Sequence, residues 1–324
     1  MGPKVASAPA PAPPRYSGRL EDYVPAAGLR WLVRGAPAKL AESQSFRPAL
    51  DALLTRDRLR AVAQTTGFAL ETLPRGVIAG FDLGTLYLAE LPSATAAQAR
   101  ARFKARQIHE PRERRPDPNI VVLTGISEGI PIGMVSIDDR VVAYGVGDPL
   151  LTRVVEGYAR GKLKAKSAFQ GAALGGLREE TDDAPLAAHV PGPFDERWQS
   201  AAGGLLAVTT AVTAKLVPTS AGRATLELVL HGDFAGSSAA ERLLATYRSA
   251  ASSSTGTALG LAAALDARSV TNMQNDRVTL MVPLPLTEIA NGARAVTTGD
   301  LADILRLTPQ SISPAAPTSS PDTR

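Results

Sequence analysis

Three apolar, β-branched runs follow one another between residues 119 and 146, NIVVLTGI, IPIGMVSI and RVVAYGV, with only Glu128-Gly129 and Asp138-Asp139 punctuating them. Such breaks are turns, too short for the helical crossover that successive parallel strands need, so this segment must fold as an antiparallel meander. Hairpins of the same kind are predicted elsewhere. Residues 77–81 and 85–91 flank a turn at Asp82-Leu83-Gly84; 205–217 and 225–231 flank a turn at 219–222; 269–273 and 277–284 flank Asn275-Asp276. Leu226, Leu228 and Leu230 point one way and Thr225, Glu227, Val229 and His231 the other, which gives that strand one wet face. Pro283 and Pro285 belong at an edge or a strand end, because neither donates to a ladder.

Helical signals lie between the hairpins. Pro48 opens a short helix carrying Leu50, Leu53 and Leu54; Thr55 caps a second, which Gly67 ends. Thr95 with Gln98, and Ser238 with Glu241, match the reciprocal capping box. Asp148-Pro149 starts a helix whose stripe is Leu150, Leu151, Val154, Val155 and Tyr158. A further helix is expected over 257–265 and a short one after Thr287. The expected class is therefore α+β: a mainly antiparallel sheet of long hairpins with helices packed on one face. The order helix, helix, hairpin, helix occurs twice and suggests an internal duplication. The expected organisation is a Pro/Ala-rich tail (1–27), a first half (28–165), a linker of weak pattern (166–194), a second half (195–307) and a disordered Pro/Ser/Thr-rich tail (308–324).

With 324 residues and 44% hydrophobic content, the chain can bury a substantial core. The formal charge of +4 and a pI near 9.5 are a small cationic surplus, so no specific nucleic acid is implied as a partner. Arginine outnumbers lysine about four to one, a pattern of GC-rich coding. The absence of cysteine removes disulfides, thiolate metal sites and cysteine nucleophiles, and fits an exported protein. No apolar run reaches the ~18 residues of a membrane-spanning helix, so no transmembrane segment is expected.

Candidate chemistry is sparse. Gly125-Ile126-Ser127-Glu128-Gly129 matches the G-x-S-x-G nucleophile elbow, and Asp138 or Asp182 with His189 would complete the Ser, Asp, His order. An elbow needs a helix directly after the serine, whereas Ile130-Pro131-Ile132 resumes a strand, so a hairpin turn is expected there. His109, His189 and His231 lack metal-ligand spacing, and no metal or cofactor is expected. His231 reads as a solvated or hydrogen-bonded strand residue. The acidic run 179–183 lacks a calcium-loop spacing, and Gly145-Val146-Gly147 lacks the third glycine of a phosphate loop. The densest charge cluster is cationic: Arg100, Lys104, Arg106, Arg112, Arg114 and Arg115 occupy a helix end and the loop beyond it, forming a candidate anion-binding patch for anionic lipid, polysaccharide or an envelope protein.

The run GFALETLPRGVIAGFDLGTLYLAEL at 67–91, with GLRWLVRGAPAKL at 28–40, resembles uncharacterised extracytoplasmic proteins of GC-rich bacteria, often lipoproteins. The resemblance implies a periplasmic or cell-envelope location; it transfers no catalytic motif, and the chain lacks a lipobox cysteine. The leading expectation is a non-enzymatic binding or scaffolding module of the envelope. The alternatives are a serine hydrolase using Ser127 and a structural subunit assembling through sheet edges.

Overall fold

The computed structural model describes residue 16 and residues 18–296, except 93–94, 107–108, 236–237, 265 and 273. The C-terminal tail expected at 308–324, and most of the N-terminal one, lie outside these residues. Among the described residues the strands are β1 (Leu29–Gly35), β2 (Arg75–Phe81), β3 (Thr85–Glu90), β4 (His109–Asp117), β5 (Ile120–Ser127), β6 (Ile130–Ile137), β7 (Val141–Val146), β8 (Leu186–Pro191), β9 (Thr209–Ser220), β10 (Arg223–Gly232), β11 (Arg268–Thr271) and β12 (Arg277–Pro285). The α-helices are α1 (Pro37–Glu42), α2 (Arg47–Leu53), α3 (Arg56–Thr66), α4 (Ala96–Ala105), α5 (Pro149–Ala159), α6 (Glu196–Ala201), α7 (Ala239–Ser252), α8 (Ser254–Ala258) and α9 (Leu286–Val296).

All the strands join one antiparallel sheet in the order β11-β12-β10-β9-β8-β1-β2-β3-β7-β6-β5-β4, so the α+β class holds. The meander forms as its punctuation requires. Glu128 and Gly129, and likewise Asp138 and Asp139, all have positive φ, the backbone of two-residue turns that match strand twist. Thr55 caps α3 by accepting from the Arg58 amide, and Gly67 closes it in the left-handed region at φ 84°. Asp148 caps α5 through the Leu150 amide at 2.8 Å. Pro283 is tolerated because β11 pairs with β12 only as far as Met281, and among the described residues no strand pairs with that side of β12 beyond it.

Alternation along the strands sorts the core onto two faces. Ile120 and Val122 of β5 join one cluster with Leu151 and Val155 of α5, whereas Val121 and Leu123 join another with Ala96, Ala99 and Phe103 of α4. On the α4 face, farther along the sheet, Leu226, Leu228 and Leu230 of β10 meet α2, α7 and α9 through Ala49, Leu243 and Ala290. Most helices thus share one face, with α5 on the other.

Several expectations are corrected. Residues 166–194 are no linker: β8 lies within them and pairs with both β1 and β9, fusing the sheet, while α2 packs on α9 across the expected boundary. Its sequence, LAAHVP, hides the strand because a strand central to the sheet needs no alternation and alanine has weak β-propensity. Within the expected tail 1–27, Leu20, Tyr23 and Val24 are buried in the α5-side core. The stretch beyond α4 is the edge strand β4, not a loop. The capping box at Thr95 does not form, since its hydroxyl donates instead to the Pro92 carbonyl at 2.8 Å, and Ser238 makes no side-chain cap.

Candidate functional site

The register of the central strands leaves a gap in the α4-side face. Leu186 of β8 stands opposite Gly35 of β1, Gly35 opposite Gly76 of β2, and Gly76 opposite Ala89 of β3. The neighbouring row runs Ala188, Val33, Ile78, Tyr87 and Tyr144. Two adjacent glycines and an alanine thus withdraw side chains beside a row that keeps most of its own. The roof, from Leu40 of α1, Val62 and Thr66 of α3, and Phe68, Leu70 and Leu73 after them, does not descend to fill the space. A cavity of about 220 Å³ remains, partly open to solvent. A Cβ at Gly76 would meet nothing closer than the Leu88 carbonyl at 3.8 Å, whereas one at Gly80 would lie 2.2 Å from the Trp31 ring. Gly80 is therefore needed for packing, and Gly76 faces open space.

The lining is apolar with few polar intrusions. The Thr66 hydroxyl donates to the Val62 carbonyl at 2.8 Å, which satisfies it within α3. Arg106, at the end of α4, donates through Nη2 to the Thr65 carbonyl at 3.2 Å, where a cation also suits the C-terminus of α3. Its guanidinium lies 5.9 Å from the Phe103 ring centre and 5.8 Å from that of Tyr144. The Arg106 Nε and the Tyr144 hydroxyl are both buried and have no hydrogen-bond partner among the described residues. Among the described residues no carboxylate pairs with Arg106. Burial pulls Arg106 below the usual guanidinium range, though an arginine remains cationic at neutral pH. Burial pushes the Tyr144 hydroxyl up to about 12, outweighing the opposite pull of Arg106. A neutral phenol and an uncompensated cation can both donate to an anion; neither is a general base at neutral pH.

The other cationic residues are dispersed. Because successive residues of β4 face opposite ways, Arg114 reaches Glu156 of α5 at 2.5 Å on one side, while Arg115 meets Glu113 at 3.2 Å on the side where Lys104 of α4 also contacts Glu113. Burial works against ionisation of Glu156, but hydrogen bonds from Arg114 and Arg160 prevail and hold it below the usual carboxylate range. Arg112 lies 3.8 Å from Glu110, and Arg100 contacts Asp139 and donates to Ser136 at 3.0 Å. Arg100, Arg115, Asp138 and Asp139 do line one cleft of about 350 Å³, but its cations already have acidic partners. Of the six, Arg106 alone turns into the apolar cavity.

Ser127 sits at the end of β5 in the expected hairpin turn, paired with Ile130 of β6. His189 is fully buried in β8, six places away in the sheet order, and contacts the Thr181 hydroxyl at 3.2 Å. His231 is buried rather than solvated, with its Nε2 3.2 Å from the Thr213 hydroxyl. Sequence reasoning missed Gly35, Gly76, Ala89 and Tyr144. The signal that could have found them is the pair of glycines in strands that turn out to be adjacent, visible only once the register is known.

Among the described residues no helix is long and apolar enough to cross a membrane. No protein-family model and no curated relative matches the sequence. Among solved structures, the chain is similar to crystal form I of TP0453, with 9% identity, a TM-score of 0.49 and coverage of 85% of this chain and 96% of that one. Crystal form III of TP0453 gives 9% identity, a TM-score of 0.48 and coverage of 88% and 99%.

Proposed function

We propose that this protein is a non-enzymatic binding module of the bacterial cell envelope, and that it holds a small, largely aliphatic molecule against its central sheet. The observation that carries the reading is the apolar cavity over the Gly35–Gly76–Ala89 row, left open although leucine, valine and phenylalanine surround it. Protein interiors are packed to the density of organic crystals, and apolar voids that persist are the ones that take up apolar guests. An envelope location is supported by the resemblance of residues 28–40 and 67–91 to extracytoplasmic proteins and by the lack of cysteine. The volume of about 220 Å³ corresponds to roughly seven water-sized groups at ~30 Å³ each, which suits a short chain. Calorimetric titration with 1-octanol tests the reading. Saturation at one equivalent, strongly weakened when Gly76→Leu takes up about half of the cavity, is expected; no saturable binding to the wild type would remove it.

A further inference from the structure

We infer that Arg106 and Tyr144 form the head-group anchor of this cavity, and that the ligand is an aliphatic monocarboxylate whose tail lies over Gly76. The inference rests on the cavity reading and adds the chemical class of the ligand. Three features point to an anion at this end of the cavity. The Arg106 Nε and the Tyr144 hydroxyl are both buried, neither has a hydrogen-bond partner among the described residues, Tyr144 as a whole is only 6% exposed, and both residues line the same space. A buried donor with no acceptor is costly, and a desolvated cation with no counter-charge more so, unless something supplies the missing partner. One carboxylate can do both: its two oxygens accept from a guanidinium edge and from a phenol.

The rest of the lining narrows the class. A phosphate or sulfate presents more oxygens than two donors can serve, whereas a planar carboxylate matches them. Most of the remaining wall, Val33, Leu40, Val62, Leu73 and Ile78 among it, is hydrocarbon, and the Thr66 hydroxyl that also lines it is bonded to the Val62 carbonyl, so the molecule beyond its head is largely aliphatic. A purely structural role for Arg106, closing α3 through the Thr65 carbonyl and stacking on Phe103, uses Nη2 and the guanidinium face and leaves Nε and the Tyr144 hydroxyl unexplained.

Matched titrations with octanoate and 1-octanol at pH 7.5 separate the anchor from the cavity. Octanoate is expected to bind the wild type at least about tenfold more tightly than 1-octanol, as hydrogen bonds to charged groups exceed neutral ones. Arg106→Gln should abolish that preference while retaining 1-octanol. Tyr144→Phe, which removes one oxygen and no packing surface, should weaken octanoate several-fold and leave 1-octanol unchanged; it serves if Arg106→Gln does not fold. Equal affinities in the wild type, or a preference that survives both substitutions, would overturn the anchor and spare the cavity. Failure of both compounds to bind would overturn both.

Discussion

Gly76→Leu is the substitution for which the structure makes the most counterintuitive forecast, because replacing a strand glycine by a bulky residue should stabilise this protein. Its backbone φ is not positive, and a Cβ there would find nothing closer than 3.8 Å, so the new side chain enters open space. Four added carbons occupy about 120 Å³ at ~30 Å³ each, roughly half of the cavity's 220 Å³. Burying them is worth about 3 kcal/mol at ~0.8 kcal/mol per methylene, less about 1 kcal/mol for the leucine rotamers. A net gain of about 2 kcal/mol follows, and for a chain of this length it should raise Tm by about 3 °C. The same four carbons displace as much of the ligand's tail, so octanoate should weaken by about 3 kcal/mol, or roughly two-hundredfold. Urea denaturation and calorimetric titration measure the two effects. Destabilisation by more than about 2 kcal/mol would mean that the interior is solid there. An octanoate affinity within about threefold of the wild type would place the ligand elsewhere.

Three further outcomes follow from the same geometry. Tyr144→Phe deletes a buried hydroxyl that has no partner, so the unliganded protein should gain about 1 kcal/mol in urea denaturation; an equal loss would show that the hydroxyl is satisfied. Across saturated acids, affinity should rise about fourfold per methylene up to roughly eight carbons and then level off; a flat series would refute burial of the tail. His189 is pulled down to about 3, chiefly by burial and then by Arg34 and His231, while Asp182 opposes. The unfolded chain therefore binds the proton first, and stability should fall as pH drops from about 6.5 towards 3, by up to about 5 kcal/mol. His189→Gln should flatten part of that slope in urea titrations at pH 7, 5.5 and 4; an unchanged slope would assign it to other groups.

How far the sequence foretold this molecule depended on how local each signal was. The meander, the α3 cap at Thr55 and the α5 cap at Asp148 are set by neighbouring residues, and they appear as expected. The leucine face of β10 was equally legible, because Leu226, Leu228 and Leu230 alternate within one strand, but the opposite face is not wet: Val229 and His231 on it are buried. β8 was invisible because its surroundings, not its composition, make it a strand. Of the arginine cluster, the helix end was read correctly, with Arg100 and Lys104 on α4, but the loop beyond it is the edge strand β4, whose period-two alternation sends Arg114 and Arg115 to opposite faces. Arg106 was placed among surface cations, and only the packing of α4 on the sheet shows that it borders Tyr144. The cavity was illegible for the same reason: Gly35 and Gly76 are 41 residues apart, and their adjacency exists only in the register of β1 with β2.

The central claim is that a ligand tail lies on the Gly35–Gly76–Ala89 floor with its head at Arg106. Intermolecular NOEs between octanoate and the methyl-labelled protein test it without any substitution. The account predicts contacts from the terminal methyl to Val33, Val62 and Ile78, and from the α-methylene to the Tyr144 ring. Contacts confined to residues outside this cavity, with bound octanoate present at saturation, would contradict it.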